Sequence, residues 1–205
     1  MKPIKIALAI MIPLIVILFS FIIYVFNVDF YQQEFEKYEI HSSFPEANFA
    51  LINLMNYLEQ DTDLSETFFT EREILHMQDV KTLIWSGLFL FNFLLIVAII
   101  LIIILFVRKD FYSISQSFLF GGISSLGLTL LLLIFSLTIF PKMFTSFHEI
   151  FFTNDLWQLS SSTSLIRMFP LPFFYDLARG IFLNSILLSV FMIFLGYGAK
   201  FIKEK

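Results

Sequence analysis

The chain has 205 residues, of which 58% are hydrophobic and 15% are charged, and its formal net charge at pH 7 is −4. Soluble domains average about 25% charged residues, so this composition excludes an ordinary globular protein and indicates a polytopic membrane protein. There is no cysteine, which excludes disulfides, thiol nucleophiles and thiolate metal sites.

Four apolar windows are long enough to cross a bilayer as helices, because about 20 residues span its hydrocarbon core. They cover about residues 4–26, 83–107, 118–140 and 181–199. The predicted fold class is an all-α polytopic membrane protein with four transmembrane helices and two structured extracytoplasmic loops that contain short helices. Residues 1–205 are predicted to form a single integral membrane domain.

The first window is predicted to be a retained span rather than a cleaved signal peptide. Its apolar run of about 22 residues exceeds the roughly 7–15 residues of a signal h-region, and no small-x-small cleavage site follows it. Pro13 lies inside this window and can kink the helix. Neighbouring helices make such a kink tolerable.

Basic residues predict the orientation of the spans, because cytoplasmic loops are enriched in lysine and arginine. The two termini and the connection between the second and third spans hold seven of the thirteen basic residues: Lys2, Lys5, Arg108, Lys109, Lys200, Lys203 and Lys205. The same segments hold only two acidic residues, Asp110 and Glu204. Both termini are therefore predicted to be cytoplasmic, and the acidic segments 27–82 and 141–180 to face outward.

The first outer segment is predicted to be structured. Residues 47–58 have the apolar spacing of a helix, and residues 60–65 resemble a loop. Thr70 and Glu73 then form a Thr-x-x-Glu capping box, a pattern typical of a helix N-terminus. A helix that starts there runs into the second span and carries on one face Arg72, His76 and Asp79.

The second outer segment contains a similar pattern, Ser-x-x-Glu, at Ser146 and Glu149. It predicts a helix that begins there, with His148 in its first turn. Further residues on the same helical face are then Phe151 or Phe152, and Asp155.

A proline-rich stretch ends this outer segment. Pro170 and Pro172 prevent a regular helix throughout residues 168–176. The aromatic residues of this stretch favour a loop packed on the membrane surface.

Two of the three histidines flank apolar spans on the outer side. His76 precedes the second span and His148 follows the third. Imidazole exchanges protons near neutral pH, so these two are candidate acid and base groups at the depth of the lipid headgroups. A structural role at the interface is the alternative for both. His41 lies in a polar stretch and is assigned no role.

Other kinds of site have less support in the sequence. No His-Glu-x-x-His, His-x-His or Gly-x-Ser-x-Gly pattern is present, so neither a metal site nor a serine nucleophile is predicted. No acidic or basic residue lies in the middle of a span, which argues against an ion-coupled transporter. No cofactor is predicted.

Three segments carry a resemblance to a known family. Residues 71–81 around His76, residues 147–157 around His148, and residues 165–176 resemble the lipoprotein intramolecular transacylase (Lit) family of low-GC Gram-positive bacteria. The resemblance covers nearly the whole chain, and its specific part is the two histidine motifs. One departure is Ser160-Ser161, where a turn richer in Asp and Pro is expected.

The resemblance implies an enzyme of the cell membrane with its active site at the outer leaflet. Family members act on lipoproteins whose N-terminal cysteine carries an S-diacylglyceryl group, and they move the sn-2 acyl chain to the α-amino group of that cysteine. The product is the lyso-form lipoprotein. The implied partners are these lipoproteins and membrane lipids, with neither nucleic acid nor an obligate protein partner. The two essential histidines of the family map onto His76 and His148.

Ester aminolysis needs a base, because an α-amino group with a reference pKa of about 7.7–8.0 is mostly protonated near neutral pH. We hypothesise that His76 is this base, oriented by Asp79 or Glu73, and that His148 protonates the departing glycerol oxygen or donates to the oxyanion. The two roles can be reversed, and a covalent acyl-histidine intermediate is an alternative that the sequence leaves open. The other supporting or orienting candidates are Arg72, Glu149, Asn154 and Asp155.

Two further functions are consistent with the residues alone. One is a non-enzymatic membrane scaffold or accessory subunit, for which the histidines would be dispensable. The other is a different interfacial lipid acyltransferase or hydrolase, which would act on free phospholipid.

Overall fold

The computed structural model describes residues 2–60 and 62–201, with side chains described for residues 3–60 and 62–198. Within these residues the chain forms eight helices and no β-strand. They are α1 (Lys2–Val25), α2 (Val28–Lys37), α3 (Ile40–Ser43), α4 (Ala47–Glu59), α5 (Glu71–Val107), α6 (Phe111–Phe151), α7 (Ser164–Met168) and α8 (Leu171–Phe201).

Four of these helices, α1, α5, α6 and α8, are long and apolar enough to cross a membrane. This confirms the predicted all-α polytopic class with four transmembrane helices. The orientation prediction also rests on Lys203, Glu204, Lys205 and the side chains of Lys2 and Lys200, which lie outside the described residues.

Three of the long helices extend past their predicted apolar windows. Helix α5 has 37 residues and α6 has 41, and at 1.5 Å per residue each is much longer than the roughly 30 Å of a hydrocarbon core. Helix α8 begins ten residues before its window. The two predicted histidine motifs therefore lie on the extensions of spanning helices.

The predicted helix start at Ser146 is wrong. Ser146, His148 and Glu149 lie near the C-terminal end of α6, and His148 is in the last turn of a helix rather than the first. Pro141 does not end the helix, because a kink at Ile139 (φ −134°, ψ 30°) accommodates it. A Ser-x-x-Glu pattern can cap a helix only where the residues before it are not helical.

The loop predicted for residues 168–176 is also wrong in part. Helix α7 ends at Met168, but α8 begins at Leu171 and includes the rest of the stretch. Pro172 lies in the first turn of α8, where a missing N–H costs no intrahelical hydrogen bond. The two prolines thus separate α7 from α8 without preventing the second helix.

One compact unit of the chain comprises Met1–Ile23, Gly87–Thr138 and Ala178–Lys205. Small residues allow its helices to approach closely, as expected of helix contacts in membranes: a Cβ on Gly196 of α8 would lie 2.6 Å from the backbone nitrogen of Leu119 in α6. Ser189 Oγ donates to Ser125 Oγ at 2.7 Å, which joins the same two helices.

The other unit comprises Tyr24–Ser86 and Ile139–Leu177. Its core is aromatic. Tyr31 and Phe35 of α2 are buried, and Tyr31 lies 5.9 Å from Phe169 and 5.3 Å from Phe173 between ring centroids. This packing holds α2 against the start of α8.

Polar contacts join the same two elements in this unit. Lys37 Nζ and Tyr38 Oη both donate to the Asp176 carboxylate on the first turns of α8. These hydrogen bonds hold the pKa of Asp176 below its usual range, against the opposing effect of burial. The C-terminal end of α2 is thereby attached to α8.

We predict that Gly196→Ala destabilises the protein, whereas Gly198→Ala does not. The added Cβ at Gly196 meets the backbone of Leu119, which cannot move as a side chain can, and such overpacking costs about 1–3 kcal/mol. A Cβ at Gly198, two residues along the same helix, meets no atom within 4 Å. Thermal unfolding of the two detergent-solubilised variants measures the difference, and equal midpoints would contradict the prediction.

Candidate active site

A capping box fixes the start of α5, as the sequence predicts. The backbone nitrogen and Oγ1 of Thr70 both donate to Glu73 Oε2 at 2.8 Å. The other carboxylate oxygen, Oε1, accepts from the backbone nitrogen of Leu165 at 2.7 Å, which attaches the first turn of α7. Glu73 is fully buried, and both of its oxygens are occupied by these donors.

His148 is held in one tautomer by a hydrogen bond to its own helix. Its Nδ1 lies 2.8 Å from the carbonyl oxygen of Phe144, and a carbonyl can only accept, so Nδ1 carries the proton. Neutral His148 therefore has its lone pair on Nε2. The rings of Phe144 and Trp157 lie 4.4 and 4.9 Å from the imidazole centroid, which restricts its rotation.

His76 lies beside His148. The two imidazole centroids are 6.2 Å apart with an interplanar angle of 30°, and Phe152 packs edge-on against His76 at 5.3 Å. Both histidines are buried, with 8% and 9% of their surface exposed. Nδ1 of His76 is buried and has no hydrogen-bond partner among the described residues.

The enclosure of the pair favours neutral imidazoles. Both histidines lie outside the predicted apolar windows, on the extensions of α5 and α6. Burial, together with the smaller effect of the nearby His148, lowers the pKa of His76 to about 4, and Asp79 opposes this shift. Burial also lowers the pKa of His148, against the hydrogen bond to Phe144. At neutral pH both rings are therefore neutral, and each has one nitrogen without a proton.

A polar segment after α6 contacts the N-terminal part of α5. Asn154 Nδ2 donates to Asp79 Oδ2 at 2.9 Å, and Arg72 donates through its guanidinium to the backbone carbonyl of Asp155. These contacts attach the chain beyond His148 to the helix that carries His76.

The predicted supporting residues divide into three groups. Asp79, Asn154, Arg72 and the backbone of Asp155 come together beside the histidines, through the contacts given above. Glu73 instead joins α5 to α7. The side chain of Glu149 is exposed, and among the described residues it forms no hydrogen bond or ion pair.

The chain is similar to known proteins in both sequence and fold. The family model for the lipoprotein intramolecular transacylase Lit matches residues 6–174, which is most of the chain. The chain belongs to the Lit family. This confirms the resemblance predicted from the histidine motifs.

One relative of this chain is similar to it over part of its length. An uncharacterised protein of Aquifex aeolicus is 33% identical over 138 residues, which are 67% of this chain and 61% of that protein. The chain thus spans less than two thirds of the length of this curated relative.

Solved structures have the same fold. The membrane-integral lipoprotein intramolecular transacylase Lit of Bacillus cereus superposes with a TM-score of 0.90 at 22% identity, covering 99% of this chain and 97% of that chain. Its His-to-Arg and His-to-Ala variants superpose with TM-scores of 0.80 and 0.81. At these identities the comparison establishes the fold.

Sequence reasoning placed Phe151 or Phe152 on the helix face of His148, but it missed Phe144 and Trp157, which also enclose the pair. Phe144, Phe152 and Trp157 all contact His148 by ring packing. Phe144 precedes His148 by four residues, one helical turn, and this spacing is a signal that could have identified it. Trp157 lies beyond the end of α6, so no helical periodicity relates it to the histidine.

We expect His76 to remain neutral until the pH falls well below 6.5. Between that ordinary value and about 4, the unfolded chain binds a proton on this imidazole and the folded protein does not. Stability is therefore fully present above pH 6.5 and is lost as the pH falls through this window. NMR of histidine labelled with ¹⁵N follows the titration directly, and a His76 midpoint at or above 6.5 would refute the burial argument.

Proposed function

We propose that this protein is a lipoprotein intramolecular transacylase that moves the sn-2 acyl chain of an S-diacylglyceryl cysteine to the α-amino group of the same cysteine. The product is the lyso-form lipoprotein, N-acylated and S-monoacylglycerylated. The observation that carries the proposal is the pair of buried imidazoles 6.2 Å apart within an aromatic enclosure. Membership of the Lit family supports the same reaction class.

We assign the base to His148, the reverse of our first hypothesis. Because Nδ1–H of His148 is engaged with Phe144, Nε2 is the atom free to take a proton from the α-amino nitrogen. The α-amino nitrogen then attacks the ester carbonyl carbon and forms the amide bond. The bond from the carbonyl carbon to the sn-2 glycerol oxygen breaks, and the imidazolium returns the proton to that oxygen.

His76 has a complementary role in this scheme. A neutral imidazole carries one N–H, and donating it to the tetrahedral oxyanion stabilises the charge that develops in the transition state. The aromatic rings around both histidines exclude water, which strengthens this hydrogen bond and disfavours ester hydrolysis. Because the ester and the amine belong to one molecule, positioning supplies much of the rate, and no cofactor is required.

We expect His148→Ala and His76→Ala each to lower the transacylation rate by about 10²–10⁴, the usual contribution of an acid–base group or an oxyanion donor. His76→Asn should recover part of the rate because an amide also donates N–H, whereas His148→Asn should recover none. Mass spectrometry of the N-terminal lipopeptide of a diacylated lipoprotein measures the product.

His41→Ala is the matched control for these variants, since its ring packs on Phe35 away from the imidazole pair. Lyso-form product at the wild-type level in either alanine variant would favour a non-enzymatic scaffold instead. Acyl release from free phospholipid by the wild type would favour another lipid acyltransferase or hydrolase.

The proposed reaction takes place at the outer leaflet, with both termini in the cytoplasm. The natural chain has no cysteine, so single cysteines report topology without background. We expect Glu66→Cys to react with a membrane-impermeant maleimide in intact cells and Arg108→Cys to react only after lysis. Both side chains are exposed, and the opposite pattern would invert the orientation.

A further inference from the structure

One carboxylate oxygen of Asp79 accepts no hydrogen bond from the residues that the structure describes. Asn154 donates to Oδ2, and Asn154 is itself fixed because its Oδ1 accepts from the backbone nitrogen of Leu156 at 3.0 Å. Across residues 3–60 and 62–198, Oδ1 of Asp79 has no hydrogen-bond partner. The side-chain amide of Asn154 therefore holds the Asp79 carboxylate in one orientation and leaves Oδ1 free among the described residues.

No cation neutralises this carboxylate in the part of the chain that the structure describes. Lys81, two residues away, donates to the carbonyl oxygen of Gln60 at 2.8 Å and lies over the ring of Tyr57. The guanidinium of Arg72 donates to the carbonyl of Asp155. Asp79 is half-buried, and a partly desolvated carboxylate without a counter-ion attracts a positively charged ligand.

The position of Asp79 relates it to the imidazole pair. It follows His76 by three residues in α5, so the two side chains are neighbours on one helix face. Asp79 favours the charged form of His76, yet no hydrogen bond joins them. Nδ1 of His76 is buried without a partner, so Nδ1 of His76 and Oδ1 of Asp79 both lack a hydrogen-bonding partner among the described residues.

We propose that the free oxygen of Asp79 binds the α-ammonium group of the substrate and holds it beside His76 and His148. This inference rests on the proposed function and names the group that the site recognises. An ammonium has three N–H donors, so it can donate to the carboxylate and to an imidazole at once. Its charge makes the hydrogen bond to the carboxylate stronger than one between neutral groups.

The Asp79 carboxylate stabilises the positive charge both before and after the proton transfer. Breaking one N–H bond of the ammonium moves its proton to an imidazole nitrogen, and the positive charge moves with it. Asp79 attracts the ammonium before this step and the imidazolium after it, so its field opposes the transfer little. The nitrogen loses two protons in all: the imidazolium returns one to the sn-2 glycerol oxygen, and the other passes to solvent. The amide product is therefore neutral, which weakens its interaction with Asp79 and favours release.

The test uses substrate analogues that bind but cannot react, because ether bonds replace both glyceryl esters. Three such S-dialkylglyceryl lipopeptides differ only at the N-terminus: a free amine, no amino group, and an N-acetyl group. We expect wild-type protein in nanodiscs to bind the free amine about 10-fold or more tightly than either neutral analogue, as one charge-assisted hydrogen bond allows. Asp79→Asn should bring the ratio to about 1 without changing the affinity for the neutral analogues.

Glu149→Gln is the matched control, since it removes one exposed carboxylate from the neighbouring helix and should leave the ratio unchanged. If Asp79→Asn binds no analogue at all, Asp79→Ser is judged by the same ratio. A ratio near 1 in the wild type, or a wild-type ratio in the Asp79 variant, overturns the proposal.

The proposed function is decided separately, by conversion of the diacyl ester substrate and its loss in the histidine variants. A ratio that depends on Asp79 without conversion would support an ammonium site and reject the transacylase. Conversion of the ester substrate, with an affinity ratio that does not change in Asp79→Asn, would support the transacylase and reject the ammonium site.

Discussion

The carboxylate of Glu73 holds together the start of α5, which carries His76, and the start of α7. One oxygen caps α5 by accepting from the backbone and hydroxyl of Thr70, and the other accepts from the backbone of Leu165 at the start of α7. A buried charge is costly unless it is hydrogen-bonded, and these donors satisfy it fully. This capping contact lies three residues before His76 in the same helix.

Aromatic packing gives the histidines their chemistry. Phe144, Phe152 and Trp157 surround His148, and their apolar surface penalises the imidazolium. A neutral ring can act as a base, while an exposed histidine would be partly protonated near neutral pH. One backbone hydrogen bond to Phe144 then selects the nitrogen that is free to react. Enclosure, tautomer and proximity are together the features on which the proposed acyl transfer by the two side chains rests.

Local patterns predicted the elements that depend on neighbouring residues in the chain. The four apolar windows and the Thr70–Glu73 cap were confirmed because hydrophobic length and capping hydrogen bonds are properties of short segments. The predicted helix start at Ser146 was wrong because α6 continues past Pro141 through a kink at Ile139. The loop predicted before the fourth span was wrong because a proline in the first turn of a helix costs little.

The sequence by itself determined the membrane class, the four spans and the two histidines as the chief chemical resource, since each follows from composition or from nearby residues. Only the tertiary structure decided that His76 and His148 lie side by side, that Glu73 joins two helices, and that Asp79 keeps one oxygen free. These three facts depend on contacts between segments that are about 70 to 90 residues apart. Local periodicity carries no information on such contacts, because packing between distant helices sets them.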